Sequence, residues 1–595
     1  MKRASLVVAA LTVLTLCVAA PAARAAKKGP VTTWGYITMT DGVRLRYTLL
    51  RSAGSGRFPV AINYGPYEAG SDPNDETFQT QRFLDAGYAV LGVNIRGTGC
   101  STGVFWMLDH REAVDGAAIV EWAAAQHWST GHTGMFGLSF PGIIEYGPAA
   151  LHPPHLDAIA PFQTITDVYR DVAYPGGILN PGFGAAWAGV LQPEADAKAG
   201  LKGTAQRDPK CPRATVGEQA DTSRARLAAQ LLKTPYDSEP YWSRDPQQYL
   251  SSIHTPVLGC LSWQDDMVSS RSLNSFDTLN PKTSWAILTN GYHGVCDATN
   301  VWPYLLAFFD HFVKGKANGF EGTPHVTIFH DAHTGVVGSV QDTAWTTAPS
   351  TVAWKTTFPT WPVAVTPTTL HLREDARLDR AAPEAVEPTD AYVTPAPSSG
   401  NEDGYTGEWH AAWNAQDPPG TDRTYSTSPL GHDEEFFGPA SVNVWLASTA
   451  RDADVQVTLS EIRPDGREVF VERGWLRASH RALDPSRSTA LLPYATHLQS
   501  DARPLQPGQP TLLRVEVDPF DYVFRAGSRI RLTIDTPTSS GLWGFGVKPV
   551  PAVNTILHDA GHDSQLVLGL IPGDRALAPP QHCDTLLNQP CRRAL

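Results

Sequence analysis

The stretch Gly134-Met135-Phe136-Gly137-Leu138-Ser139-Phe140-Pro141-Gly142 decides how the rest of the chain is read. It nearly spells G-x-S-x-G, the sharp turn that presents a serine between a strand and a helix. Gly137 stands two places before Ser139, as that pattern requires. Pro141 stands two places after it, and the second glycine is displaced to Gly142. In such a turn the N–H of the residue after the serine must face an oxyanion. A proline at 140 would remove that donor. A proline at 141 leaves it in place and suits the first turn of a helix, where its missing N–H is an orphan anyway. One tension stays, because Phe140 precedes a proline and is biased away from helical angles.

On both sides of this stretch, strand and helix patterns alternate. Residues 34–50 read as two strands about Asp41-Gly42, and Phe58–Tyr64 as a short apolar strand. A helical pattern with Phe78, Arg82 and Phe83 stops at Gly87, and Tyr88–Ile95 reads as a strand buried on both faces. Residues 111–127 place Val114, Ala118, Trp122 and Ala125 on one helical stripe. Leu156–Phe162, Thr255–Trp263 and Thr283–Gly291 are further strands, and 301–315 a closing helix. Alternation of this kind predicts a mostly parallel sheet with helices on both faces.

The alternation breaks at about Gln163. Residues 163–249 carry Gly, Pro and helix-forming pieces without clear strands, and read as a helical insertion. An insertion at a strand's C-terminal end lies over the place where open α/β sheets bind ligands, so a cap is the natural reading. From about 321 helix patterns nearly vanish. Short alternating strands separated by Pro, Gly and Asp predict a β-sandwich to about 571, followed by a Pro-rich tail over 572–595.

A serine nucleophile needs a base and an orienting carboxylate, in the order acid then histidine, each just past a strand. The loop after 255–263 offers Asp265 or Asp266, and the loop after 283–289 offers His293. His311 lies within a helix, and His110, His127 and His132 precede the serine.

Composition bounds the remaining possibilities. The chain has 595 residues, too many for one core. Residues 1–25 have a basic start at Lys2 and Arg3, an apolar run from Leu6 to Ala20 and an Ala23-Arg24-Ala25 site, and read as a secretory signal peptide. Removing Lys2, Arg3 and Arg24 with it takes the net charge from −13 to −16. An acidic chain without a basic cluster argues against nucleic acid as a partner. The export reading implies no membrane attachment after cleavage and permits disulfides among the six remaining cysteines. Cys583 and Cys591 close a short loop and are expected to pair. A bridge among Cys100, Cys260 and Cys296 would brace the loops of the site. No Cys/His spacing looks like a zinc site.

The motifs together resemble the cocaine esterase-like and Xaa-Pro dipeptidyl-peptidase-like serine hydrolases. The resemblant pieces are "NYGPYEAG", "NIRGTGCSTG", "GMFGLSFPG", "SWQDD", "GWLRASHR" and "FRAGSRIRLTI". The resemblance implies an α/β-hydrolase domain (30–162 and 250–320), a helical cap (163–249) and a C-terminal jelly-roll β-sandwich (321–571). It selects Asp265 over Asp266 and implies Ser139 as nucleophile, His293 as general base and Asp265 as the orienting acid. It places the oxyanion hole at the Tyr67 hydroxyl and the Phe140 N–H, with Tyr67 preferred to Tyr64 because it follows the proline. No metal or organic cofactor is implied.

The implied substrate is a small ester or amide, or a short peptide. That family also includes Xaa-Pro dipeptidyl-peptidases and acylases of β-lactam or amino-acid esters, which bind a substrate ammonium with carboxylates. Met267 and Val268 follow Asp266 where an acidic pair would serve that purpose, leaving Asp167 and Asp171 as candidates to meet an amine. The expectation is therefore an ester or amide hydrolase, with the dipeptidyl-peptidase as the alternative. A glycan-binding protein on an inert hydrolase-like body is the contrasting class.

Overall fold

The computed structural model describes residues 30–594 except 68–69, 71–79, 188–191, 212–229, 232, 266, 299, 335–350, 395–417, 538–542, 547–550 and 574. The expected signal peptide, 1–25, lies outside the described residues.

Ten strands form the first sheet: β1 (Val31–Thr38), β2 (Arg44–Arg51), β3 (Phe58–Gly65), β4 (Ala89–Asn94), β5 (Ser129–Leu138), β6 (Leu156–Phe162), β7 (Val257–Ser262), β8 (Ser284–Thr289), β9 (Val326–His330) and β10 (Trp354–Phe358). Their spatial order is β1-β2-β4-β3-β5-β6-β7-β8-β9-β10. The seven strands from β4 to β9 in that order are parallel, flanked by antiparallel β1–β2 and β10. Every residue of β4, β7 and β8 is buried, as strands covered on both faces must be.

The covering helices are the physical reason. Helix Trp302–Phe312 sets Trp302, Leu305, Phe308 and Phe309 against Phe83, Phe136 and Leu258 on one face. Helix His110–Ala124 covers the other, but not with the predicted stripe. Val114, Ala118 and Ala125 are exposed and Trp122 is only half-buried; Ala113, Gly116, Ile119, Val120 and Ala123 face inward. A Cβ at Gly116 would collide with Pro148, so small residues bring this helix close to its neighbour, and the inward face is not the one with the largest apolar side chains.

Past the break expected at 320/321, β9 and β10 pair onto the first sheet, which the alternating pattern alone does not reveal. The Pro-rich 572–595 run is also built into the structure. Cys591–Arg593 pairs with Arg467–Val469, and Leu586 and Leu587 are buried.

Between β6 and β7 the described residues hold only helical segments, among them a π-helical turn Tyr169–Ala173 and helices Pro181–Ala186 and Gln192–Ala205. The C-terminal region is β-rich, a twelve-stranded sheet from Thr366–Arg373 onward closing as a barrel-like sandwich. Its longest pair, Glu434–Ser448 with Thr511–Phe524, is antiparallel and supplies alternate inward residues such as Val442, Val444, Leu513 and Val515. Among the described residues no helix is long and apolar enough to cross a membrane.

Candidate active site

Five neighbouring parallel strands end on one side of the sheet, and each delivers a residue there. β3 leads to Tyr67, β5 to Ser139, β6 to Gln163, β7 to Asp265 and β8 to His293. The C-terminal end of a parallel sheet is where crevices form in open α/β folds.

Ser139 has φ 65° and ψ −133°, a conformation that costs an L-residue of order 1–3 kcal/mol and persists only where the surroundings enforce it. The surroundings are the displaced glycine and the proline. A Cβ at Gly137 would meet the Pro141 backbone at 2.5 Å, and one at Gly142 would meet the Gly137 carbonyl at 2.7 Å. The Ser139 N–H donates to Phe162 O (2.9 Å), tying the turn to β6. Its carbonyl accepts from Gly142 N (2.9 Å) and Ile143 N (2.8 Å), which starts helix Phe140–Ile143. Phe140 is helical despite preceding a proline, so the strain sits on Ser139 instead. As the first helical residue, Phe140 has an N–H with no intrahelical acceptor.

Tyr64 and Tyr67 separate cleanly. Tyr64 is fully buried and its hydroxyl donates to Glu112 O (3.3 Å) in the core. Tyr67 is half-buried and its hydroxyl accepts from the Trp187 indole N–H (3.0 Å). Trp187 also lies parallel to Phe140, at 4° and 5.8 Å between centroids. This inserted-segment residue, which touches the Tyr67 hydroxyl and the Phe140 ring, was missed in the sequence because no spacing links position 187 to position 67.

Asp265 and His293 are brought together. His293 Nδ1 lies 2.9 Å from Asp265 Oδ2 and 3.1 Å from Oδ1, and both residues are buried. Asp265 Oδ1 also accepts from Met267 N (2.9 Å) and Val268 N (3.0 Å). Asp266, the rejected alternative, lies outside the described residues. The expected bridge near the site is Cys260–Cys296, joining β7 to the loop that carries His293. Cys100 instead pairs with Cys211, which lies in the insertion, and Cys583 pairs with Cys591 as expected.

Asp167 and Asp171, the residues considered for an amine, sit in a buried ion-pair network. Arg170 Nη1 is 2.9 Å from Asp167 Oδ2 and 2.6 Å from Asp237 Oδ2. Arg271 Nη1 is 3.1 Å from Asp171 Oδ1, and Arg271 Nε is 3.0 Å from Glu516 Oε1. Burial acts to raise the Asp167 carboxyl, but Arg170 and Arg271 outweigh it and hold it below the usual range. Burial wins at Asp171, which is pushed up to about 6. The "NIRGTG" loop is likewise structural: Arg96 holds Asp115 with two bonds of 2.6 and 2.7 Å and Asp41 with one of 2.9 Å.

Comparison with known proteins agrees with this architecture. Residues 41–295 match the X-Pro dipeptidyl-peptidase (S15 family), and residues 318–567 match the X-Pro dipeptidyl-peptidase C-terminal non-catalytic domain. A putative serine esterase of Mycobacterium bovis is 28% identical over 84% of this chain and 89% of its own length. The cocaine esterase of Rhodococcus sp. is 26% identical over 75% of this chain and 82% of its own. The crystal structure of a CocE/NonD family hydrolase from Staphylococcus aureus shares the fold, with a TM-score of 0.71 over 91% of this chain and 94% of that one, at 22% identity. With the S15 domain and its C-terminal companion both matched, in order, along one chain, the protein belongs with the serine hydrolases of the X-Pro dipeptidyl-peptidase and cocaine esterase family.

Proposed function

We propose that this protein is a secreted ester hydrolase that works by acyl transfer through Ser139, His293 and Asp265. Ser139 Oγ attacks the substrate carbonyl carbon while His293 takes its proton; the carbonyl electrons move to oxygen. The oxyanion is held by the Tyr67 hydroxyl and the Phe140 N–H. The tetrahedral species collapses, the leaving alcohol receives the proton from His293, and an acyl-Ser139 ester is left. Water then repeats the sequence, with His293 as base, and releases the acid. Asp265 keeps the imidazole in the right tautomer and offsets its transient positive charge.

The observation that carries the choice of ester over peptide is the state of Asp167 and Asp171. A dipeptidyl-peptidase must hold a substrate ammonium on carboxylates. Here both candidates are buried and committed to Arg170 and Arg271, which repel a cation. The serine esterase and cocaine esterase relatives support the same choice. The composition of residues 1–25 and the three disulfides support export.

A panel of p-nitrophenyl esters beside Gly-Pro and Ala-Pro anilides tests this reading. Ester turnover abolished by Ser139→Ala, with negligible anilide turnover, is the expected result. Strong anilide turnover without ester turnover assigns the peptidase instead. A fluorophosphonate that labels Ser139→Ala as well as wild type removes the serine hydrolase mechanism. Detection of the mature protein only in the cytosol removes the export proposal.

A further inference from the structure

Gln163 is the first residue past β6, where the α/β pattern of the sequence breaks. Its side chain is fully buried and makes hydrogen bonds to both loops of the acid–histidine pair. Nε2, with two hydrogens to donate, has three oxygens within reach: Asp265 Oδ2 (2.9 Å), Tyr292 O (2.9 Å) and Ser262 Oγ (2.7 Å). Oε1 accepts from Gly294 N (2.7 Å) and Cys296 N (3.4 Å). The residues before and after His293 are thus gripped by opposite ends of one amide. The amide's orientation is determined by its neighbours, since only oxygen can accept from Gly294 N and only nitrogen can donate to Tyr292 O. The Gln163 backbone N–H completes the attachment by donating to Cys260 O on β7 (2.7 Å).

Two further features point the same way. Gln163 has φ 46°, in the left-handed region that glycine occupies more cheaply, and yet carries a long side chain. That backbone turn sends the amide across the ends of β7 and β8. The oxygen it reaches, Asp265 Oδ2, is also the one nearest His293 Nδ1. Wild type thus has a neutral donor, and no second charge, against the oxygen that faces the imidazole.

We infer that Gln163 is a positioning residue that sets both the place and the basicity of His293, by clamping the acid loop to the histidine loop. The inference rests on the acyl-transfer reading above. Gln163→Glu keeps the length and shape of the side chain but adds a charge and replaces the donating Nε2 with an accepting oxygen. Among the described residues, the other charged groups around the pair are Asp297 on the histidine loop and Glu472, Arg473 and Asp518 across a cavity wall shared with Asp265, and they are common to wild type and variant.

The test is the pH profile of kcat/KM for p-nitrophenyl butyrate, per active site titrated with a fluorophosphonate, in wild type, Gln163→Glu and Gln163→Met. His293 acts as a base only when neutral. A second carboxylate beside Asp265 favours the imidazolium, so Gln163→Glu should move the acid limb up by about one pH unit. Gln163→Met loses both grips, and kcat should fall on the order of 10²-fold with KM little changed. Variants that melt lower but retain the wild-type limb and the wild-type kcat per titrated site overturn the inference and make Gln163 a purely structural residue. Full ester turnover by Ser139→Ala in the same assay overturns the reading on which it rests, and is a separate result.

Discussion

The two halves of the site are held in opposite ways. At the acid–histidine end, Asp265 and His293 are buried, and the loops carrying them are joined by Gln163 and by Cys260–Cys296. All those contacts come from the sheet and its own loops. At the elbow end, Ser139 and Tyr67 are only half-buried, and Trp187 from the insertion bonds to the Tyr67 hydroxyl and stacks on the Phe140 ring. The difference teaches that the proposed base is prebuilt by the sheet, whereas the environment of the proposed oxyanion donors is completed by a segment from elsewhere in the chain. Damage at the first end should act through protonation and orientation. Damage at the second should act through stabilisation of the transition state.

Asp265→Asn gives the largest effect on that contrast. An amide in place of the carboxylate favours the wrong imidazole tautomer, and kcat should fall on the order of 10⁴-fold with little change in KM. A stopped-flow assay with a p-nitrophenyl ester measures it, and retention of a tenth of wild-type kcat would break the assignment of Asp265.

The oxyanion end comes next. Tyr67→Phe removes one donor and should cost about 10²–10³-fold in kcat. Trp187→Phe keeps a ring over Phe140 but removes the N–H that Tyr67 accepts, and should cost about tenfold, within the range of one hydrogen bond to a neutral group. In a double-mutant cycle the Trp187 effect should vanish in the Tyr67→Phe background. Additive effects would show that Trp187 acts on substrate rather than through Tyr67.

The last expected effect is on stability and leaves the rate alone. Burial pushes the Asp297 carboxyl up to about 7, against the Trp302 indole N–H and the Arg82 charge. A raised carboxyl pKa means the folded state holds a proton that the unfolded chain has lost, so stability falls as pH rises from about 4 to about 7. Asp297→Asn removes that slope, and relative to wild type it should gain on the order of 4 kcal/mol across this window. Denaturant melts at the two ends of the window check it; parallel slopes would refute it.

Much of this was legible in residue order. β3, β4, β6, β7 and β8 are short apolar runs between turn residues, and burial on both faces leaves no alternation to misread. The elbow was legible because Gly137, Pro141 and Gly142 are the residue types that the turn's steric limits demand. The inward face of helix His110–Ala124 was not, because its contacts are made by Ala113 and Gly116, and closeness rather than bulk selects them. The sheet that β9 and β10 join was not legible for a related reason: they look like any other strands until their neighbours are known.

By itself the sequence determined the alternation that makes the parallel sheet, the elbow at Ser139 and the order of serine, acid and histidine. These are local matters of period, turn chemistry and chain order. Only the tertiary structure decided that Tyr64 points into the core and Tyr67 does not, that Asp167 and Asp171 are neutralised by Arg170 and Arg271, and that Gln163 spans two loops. A hydrogen bond between residues a hundred positions apart leaves no period or spacing in the chain. It exists because parallel strands bring their ends together on one side of a sheet.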